Sequence, residues 1–192
     1  MAKVLGIDPG LSGAAAIISC PYNYWKAGPL PGPLRDLRIV DKWPLRTVQA
    51  PGKGRELDTR HFRAKVVSHS PGLDAVFIER VHAMPGQGVV SMFTFGMGYG
   101  MIRASIEASL IPEIPVILVS PQRWQRGLLG YQWAKQEIAF VQKVFPEEDF
   151  RATKRCRKPH SGLVDATLIA LYGFAHFEIG EPHGPLHEMF PI

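Results

Sequence analysis

Cysteine is scarce in this chain. Cys20 and Cys156 are the only two among 192 residues. Two cysteines are too few for a disulfide framework, and they lack the paired spacing of a zinc site. We therefore expect both to be ordinary free thiols in a reducing environment.

Long apolar runs are absent as well. No stretch approaches the length of a membrane span, and a first strand that begins by about residue 3 leaves no room for a secretory or transit segment. The segment Gly52-Lys53-Gly54 lacks the spacing of a phosphate-binding GxxxxGK(S/T) loop. These absences predict an intracellular, cytoplasmic protein without a membrane partner or a nucleotide cofactor, unless a targeting segment has been removed.

The sequence does have enough apolar residues for a sizeable core and a moderate excess of cations. Hydrophobic residues make up 46% of the chain, and 22 Lys plus Arg outnumber 17 Asp plus Glu. A net charge of +5 favours a polyanionic partner without identifying it. How the cations are distributed along the chain is therefore more informative than their sum.

Strands and helices alternate after an antiparallel start. Apolar runs predict strands at 4–8, 13–19, 38–43, 75–79 and 115–119, and helical periodicity with capping residues predicts helices at 58–67, 91–110, 135–145 and 161–177. This order indicates an α/β protein with one mixed five-stranded sheet covered on both faces by helices. We expect a single domain over residues 1–180, a Pro/Gly-rich insertion around 20–36 and a C-terminal tail at 181–192.

Three carboxylates occupy positions typical of a metal site. Asp8 and Glu79 each end an apolar strand, and Asp165 lies near the start of the last helix, just after a dense basic segment. Carboxylates brought together repel one another unless a cation neutralises them, and Mg²⁺ prefers such oxygen ligands. Each acid also has an ordinary interpretation, as a turn residue, an ion-pair partner or a helix-dipole partner. The three together favour a metal site.

Several motifs resemble the RuvC-type Holliday junction resolvases of the RNase H-like superfamily, particularly their bacteriophage and chloroplast relatives. The matching stretches span nearly the whole chain: VLGIDPGLSG at 4–13, VFIE at 76–79, SMFTFGMGYGMIR at 91–103, residues 120–124 and HSGLVDATLIALY at 160–172. The resemblance implies an RNase H-like fold and a homodimeric endonuclease that incises four-way DNA junctions with Mg²⁺ or Mn²⁺, two ions per site. The localisation would then be a host cytoplasm or an organelle.

The resemblance also assigns catalytic residues. Asp8, Glu79 and Asp165 correspond to three catalytic, metal-binding carboxylates of the family. The family's further Asp would fall at His160 or Ser161. His160 is a candidate for ligating a metal or orienting the attacking water, or else it caps the helix. For Ser161 we expect the N-cap role.

DNA contacts are predicted from the cations and one aromatic residue. The segment 151–158 carries five cations in eight residues beside the helix of Asp165, which favours phosphate binding over a merely solvated loop. The resemblance adds Lys135, and Phe93 is a candidate for stacking on an opened base pair. Trp124 is expected to anchor a short helix, and by the resemblance the glycine-bearing helix from Ser91 is a candidate dimer surface. The complete predicted DNA-binding set is Lys135, Arg151, Lys154, Arg155, Arg157, Lys158, Phe93, Arg123 and Arg126.

We therefore predict a metal-dependent, structure-selective endonuclease that resolves four-way junctions by symmetric incision. Two alternatives stay open. One is a junction-binding or architectural DNA protein of the same fold with weak or lost cleavage, because the further acid is missing. The other is a broader nuclease for branched DNA.

Overall fold

The computed structural model of the chain describes residues 1–20, 37–50, 54–82, 86, 88–109, 114–130, 133 and 135–179. The predicted insertion, apart from residue 20, and the predicted tail lie outside these residues. The strands are β1 (Ala2–Asp8), β2 (Ala14–Cys20), β3 (Arg38–Pro44), β4 (Thr47–Gln49), β5 (Arg55–Leu57), β6 (Ala75–Glu79) and β7 (Val116–Val119). The helices are α1 (Thr59–His69), α2 (Val89–Glu107), α3 (Pro121–Leu129), α4 (Glu137–Val144) and α5 (Ser161–Ile179).

Five strands form a mixed sheet in the order β3-β2-β1-β6-β7. The pairs β1–β2 and β2–β3 are antiparallel, whereas β6 and β7 run parallel to β1. Strands β1, β2 and β6 are buried along almost their whole length because helices cover both faces, which explains their continuous apolar runs. The mixed α/β sheet predicted from the sequence is confirmed.

Two hydrophobic clusters lie on opposite faces of this sheet. One joins α1 and α2 to residues such as Ile7 and Ile78, and the other joins α3, α4 and α5 to residues such as Val4 and Phe77. Along β1 and β6, successive side chains therefore enter different clusters, as the two-residue repeat of a strand requires. Helix α5 is buried in the second of these clusters and runs across β1, β2 and β6.

Side-chain caps stabilise the start of two of the helices. The Asp58 carboxylate accepts a hydrogen bond from the N–H of His61, 3.0 Å away, at the start of α1. The Ser120 hydroxyl accepts one from the N–H of Arg123, and Pro121 follows at the first helical position. These short-range signals fixed the start of each helix.

The structure differs from the sequence expectations in three places. Lys135 was expected to begin a helix, but its φ of 62° belongs to the left-handed region, so α4 starts only at Glu137. Helix α2 begins at Val89, two residues before its expected start at Ser91. The β4–β5 hairpin was not predicted, because each of its strands has only three residues.

None of the described helices is both long enough and apolar enough to cross a membrane.

Candidate active site

Asp8 and Glu79 are neighbours at one edge of the sheet. Strands β1 and β6 run parallel with Ile7 opposite Ile78, so the next residue on each strand is the acid. Because side chains alternate along a strand, both carboxylates face the same side as Gly6, which is the side covered by α5. The end of each apolar run therefore delivers a carboxylate to one place, as the sequence predicted.

The Asp8 carboxylate is held by the turn that follows it. The N–H of Gly10 donates to Asp8 Oδ1 over 3.4 Å, and the N–H of Gly13 closes the turn on the carbonyl of Gly10 over 2.9 Å. Burial raises the pKa of Asp8, while the Gly10 N–H and the nearby His160 ring lower it, with a net rise. The Asp8 carboxylate is thus oriented by backbone and only partly compensated electrostatically.

Glu79 has a specific side-chain partner, Trp124. The indole Nε1–H donates to Glu79 Oε1 over 2.9 Å, and the Trp124 side chain is 1% exposed. Burial raises the pKa of Glu79 and the Asp8 charge raises it further, whereas the Trp124 hydrogen bond opposes both. Trp124 anchors its helix as expected, and it also orients a site carboxylate, a role that was not predicted from the sequence. A buried indole needs a hydrogen-bond acceptor, and that requirement was the available signal.

Close packing of α5 brings Asp165 to these acids. A Cβ built on Gly6 of β1 would lie 2.3 Å from the carbonyl oxygen of Ala166, so α5 rests directly on the strand. Likewise, a Cβ on Gly162 would lie 2.7 Å from the carbonyl oxygen of Ser12. Glycine at these two positions lets the first turns of α5 approach the turn after Asp8.

Asp165 interacts electrostatically with three other carboxylates. Its pKa is raised to about 7, first by burial and then by the charges of Asp8, Glu79 and Glu137. Glu137 is the first residue of α4, and the sequence analysis assigned it no role. No motif marks it, because its proximity to Asp165 comes from the packing of α4 against α5.

His160 is the residue that caps α5. Its Nδ1 accepts from the N–H of Leu163 over 3.2 Å, and its own N–H donates to the carbonyl of Phe150 over 2.8 Å. The capping alternative for His160 is therefore realised. Ser161 was expected to be the N-cap, but it is the first helical residue and its side chain is exposed. Since Nδ1 accepts this hydrogen bond, the ring N–H is on Nε2.

The three predicted ligands match a hard divalent cation in chemistry but do not form a closed cage. Their carboxylate oxygens are suitable donors, and the raised pKa values show negative charges that no protein cation neutralises fully. Within the described ranges, no three His, Cys, Asp or Glu side chains are placed so that they could hold one ion. Cations that keep several waters and take only one or two carboxylates each remain compatible with this arrangement.

Comparison with solved structures identifies the fold. Thermus thermophilus RuvC superposes with a TM-score of 0.62 at 20% identity, covering 93% of this chain and 97% of that one. The chain has the RuvC fold. T. thermophilus RuvC in complex with a Holliday junction substrate gives a TM-score of 0.61 at 20% identity, covering 94% and 98% of the two chains. No protein-family model and no curated protein sequence matched the chain.

In this RuvC fold, the basic loop (residues 151–158) leads directly into the N-terminus of α5. Arg151 is bound to Asp149 by hydrogen bonds of 2.8–3.1 Å, which lower the pKa of Asp149 to about 2. The Arg151 charge is therefore partly neutralised by Asp149, which lies just before the basic loop. The other four cations are exposed and have no ion pair in the part of the chain that the structure describes: Lys154, Arg155, Arg157 and Lys158.

The remaining predicted DNA contacts lie on three different elements. Lys135 is exposed just before α4, and Arg123 and Arg126 are exposed on α3. Phe93 lies on α2 with 72% of its surface exposed, so it is not a core residue. These exposures leave each side chain accessible to a ligand, and their roles stay predictions.

Proposed function

We propose that the protein is a metal-dependent endonuclease that incises four-way DNA junctions on symmetry-related strands. One observation carries the proposal: Asp8, Glu79 and Asp165, delivered by two strands and a helix of a RuvC fold, interact electrostatically at one edge of the sheet. Mutual repulsion of this kind is unfavourable for folding, and catalytic sites are where it is typically retained.

We infer that these three carboxylates bind two Mg²⁺ or Mn²⁺ ions. Such a pair supplies an activated water and neutralises charge on the leaving 3′ oxygen of a phosphodiester. Two groups of the protein orient the carboxylates: the Gly10 N–H donates a hydrogen bond to Asp8, and the Trp124 indole N–H donates one to Glu79. Because Nδ1 of His160 accepts the cap hydrogen bond, the Nε2–H of the ring can donate to a water beside Asp8, which would orient that water without acting as its base.

The exposed basic loop is the proposed contact for the phosphate backbone near the cut. Its cations precede α5 directly, so they lie on the same side of the sheet edge as Asp165. Cations beside an acidic metal site attract the DNA backbone while the acids alone would repel it.

We propose further that the protein is a homodimer formed through α2. An apolar stripe along that helix faces away from the sheet: Val89, Phe93, Gly96, Gly100 and Ala104 are all exposed. A Cβ on Gly96 or Gly100 would meet no atom within 4 Å, which leaves room for a second helix. A two-fold dimer would present one site to each of the two equivalent strands of a four-way junction.

The dimer has a direct test. Gly100→Leu would fill the open space on α2 without a clash inside the protomer, so the variant should fold and yet have half the molar mass of the parent by light scattering. Ser68→Leu, on the exposed side of α1, is the matched control and should leave the mass unchanged. An unchanged mass for Gly100→Leu would place the dimer surface elsewhere.

The proposed activity is tested with labelled four-way, three-way and linear duplexes in Mg²⁺ or Mn²⁺. The parent should incise the four-way junction at symmetric positions and leave the linear duplex intact. Asp8→Asn should bind the four-way junction without metal as tightly as the parent and fail to cut it in Mg²⁺. Cleavage of all three substrates at similar rates would instead indicate a broader nuclease for branched DNA.

A junction-binding protein with weak or lost cleavage is the second candidate. The observation that favours it is that His160 and Ser161 stand where the resolvases it resembles carry a further acid, and the His160 Nδ1 is occupied by a cap. If the parent binds four-way junctions but cuts them in neither Mg²⁺ nor Mn²⁺, this candidate replaces the first.

A further inference from the structure

A second group of cations lies on the β4–β5 hairpin and the first turns of α1. We call it the hairpin surface and define it as residues 46–50 and 54–63. It contains four arginines and two acids: Arg46, Arg55, Arg60 and Arg63 with Glu56 and Asp58. It lies outside every stretch on which the resemblance to the resolvases rests.

Backbone hydrogen bonds hold the hairpin surface at the sheet edge that carries the acids. The N–H of Leu45 donates to the carbonyl of Gly13 over 2.9 Å, just after the Asp8 turn. The N–H of Asp58 then closes the base of the hairpin on the carbonyl of Arg46 over 2.8 Å. The hairpin and the N-terminus of α1 are therefore neighbours of the candidate active site.

The far end of α1 supports the same orientation. After the helix, the N–H of Asp74 donates to the carbonyl of Lys3, at the beginning of β1. The C-terminal end of α1 is thus near the start of β1, whereas its N-terminal end is near Asp8, where β1 ends. Arg60, in the first turn, lies at the acidic edge.

The hairpin surface and the basic loop lie on opposite faces of the sheet. Leu57 of β5 is buried in the cluster shared by α1 and α2. Phe150, next to the basic loop, is buried in the cluster that contains α5. A ligand that touches both surfaces must therefore pass over the acidic edge from one face of the sheet to the other.

The arginines of the hairpin surface keep most of their charge available. Arg55 binds only neutral atoms in the described part of the chain, with Nε donating to Thr47 Oγ1 over 2.7 Å and Nη2 to the Thr47 carbonyl over 3.1 Å. The Arg46 guanidinium is 3.6 Å from the Asp58 carboxylate, but the Arg46 side chain is 66% exposed. These contacts hold both guanidinium groups in place; the Arg46 charge is partly offset by Asp58, and the Arg55 charge is not offset by its Thr47 partners.

Arg60 and Arg63 are exposed on one side of α1 and have no ion pair among the residues that the structure describes. The Asp58 carboxylate caps the first turn of α1, and that turn itself contains no acid. Four arginines against Glu56 and Asp58 leave the hairpin surface with an excess of positive charge. The local charge therefore points to an anionic ligand.

We propose that the hairpin surface binds the phosphate backbone of a second duplex arm of the branched substrate, different from the arm held by the basic loop. This inference rests on the proposed function and extends it to the recognition of branching. A linear duplex offers one continuous double helix, whereas a junction offers several helical arms that diverge from the point of incision. Two basic surfaces on opposite sides of the acidic edge suit the second geometry.

The test compares binding of a four-way junction and of a linear duplex of equal arm length, both in EDTA so that no strand is cut. The variant is Arg60→Ala/Arg63→Ala, which removes two exposed side chains that form no ion pair or side-chain hydrogen bond among the described residues. Its dissociation constant for the junction should rise about tenfold at low salt. The magnitude of the slope of log K against log salt should fall by about two, because each lost phosphate contact lowers it by about 0.9. The linear duplex should be affected less than twofold.

The single substitution Arg63→Ala is measured as well, and Arg38→Ala is its matched control because it also removes one exposed arginine. Arg38 is an exposed arginine at the start of β3, at the sheet end away from Asp8, and it should not alter the salt slope. Equal weakening of junction and linear duplex, or an unchanged slope, would overturn the second-arm inference while leaving the proposed activity standing. Failure of the parent itself to bind junctions would remove both.

Discussion

The indole N–H of Trp124 donates to the Glu79 carboxylate over 2.9 Å, which ties the first turns of α3 to the end of β6. This bond opposes the two effects that raise the pKa of Glu79, namely burial and the charge of Asp8. Glu79 must be ionised to hold a cation. A residue that packs in the core therefore also favours the charged form of a site carboxylate.

Trp124→Phe should keep most of the packing and remove only the hydrogen bond. The pKa of Glu79 would then rise, so the acidic limb of the pH profile of kcat should move to higher pH. A partner of a metal ligand typically contributes roughly tenfold to a hundredfold to activity, and we expect a loss in that range near neutral pH.

Trp133→Phe serves as the control, because Trp133 packs on Phe140 and has no part in the site. Its pH profile should match that of the parent. A Trp124→Phe enzyme with a parental pH profile would show that the hydrogen bond does not influence Glu79 during turnover.

Asp165→Asn should stabilise the metal-free protein in a pH-dependent way. The folded state raises the pKa of Asp165 from 3.8 to about 7 through burial and three neighbouring acids. The folded state thus binds the proton more tightly than the unfolded state, so the parent loses stability as pH rises from about 4 to about 7. In EDTA the melting temperature of the variant should equal that of the parent near pH 4 and should be roughly 5 °C higher at pH 8.

Asp41→Asn provides a control of opposite sign. Burial alone would raise the pKa of Asp41, but hydrogen bonds from Lys65 Nζ at 2.8 Å and His69 Nε2 at 2.9 Å lower it. Its contribution to stability is present above pH 4 and is lost as pH falls. Asp41→Asn should therefore lower the melting temperature at pH 8, and a similar decrease for Asp165→Asn would contradict the repulsion that we describe.

The sheet and the strand-end acids were predictable because their signals are local. A buried strand between helices needs a continuous apolar run, and Asp8 and Glu79 each follow such a run directly. The hairpin β4–β5 was missed because three-residue strands are too short to display a period. The left-handed Lys135 was missed because nothing in its side chain favours that conformation.

Long-range contacts of the site were less accessible from sequence. The Glu79–Trp124 bond joins residues 45 positions apart, and the approach of Glu137 to Asp165 depends on how α4 packs. Capping by His160 was weighed as one of two roles, but histidine is not among the preferred N-cap residues, and Ser161 beside it is. Local rules therefore assigned the cap to the wrong neighbour.

Gly6→Ala should displace α5 and thereby Asp165. The added Cβ would lie 2.3 Å from the Ala166 carbonyl oxygen and from the Ala170 nitrogen, and backbone atoms cannot move aside independently. We expect a loss of about 3 kcal/mol in the free energy of unfolding, at the upper end for overpacked cores. Gly54→Ala, where a Cβ meets nothing within 4 Å, should change stability little in the same denaturant titration. Equal effects of the two substitutions would show that α5 does not rest on Gly6.

Substitutions of His160 can separate its cap from its chemistry. His160→Asn keeps an acceptor for the N–H of Leu163, so its stability should stay near that of the parent, whereas His160→Ala should lose about 1 kcal/mol. If the ring orients the attacking water, both variants should cut junctions more slowly. Parental turnover by His160→Asn would reduce His160 to a cap.

His160→Asp should supply the further acid that the similar resolvases carry and this chain lacks. It should also preserve the cap, since aspartate is a preferred N-cap residue. We expect faster incision of four-way junctions in Mg²⁺ and tighter cation binding by calorimetry. Ser161→Asp is the matched control, one residue away on an exposed position. A larger gain from Ser161→Asp than from His160→Asp would place the missing acid at position 161 rather than 160.

The basic loop should contribute to affinity through the cations that the fold leaves unpaired. Lys154→Ala/Arg155→Ala/Arg157→Ala removes three exposed charges that have no ion pair in the described chain, so the slope of log K against log salt should fall by about 2.7, near 0.9 per phosphate contact. Arg151→Ala should change the slope far less, because that guanidinium is already bound to Asp149. Binding of a four-way junction in EDTA across a series of salt concentrations measures both slopes. Since the loop precedes α5 directly, a triple variant with a parental slope would mean that DNA reaches the acids from another direction, and Lys135, Arg123 and Arg126 would become the next cations to replace.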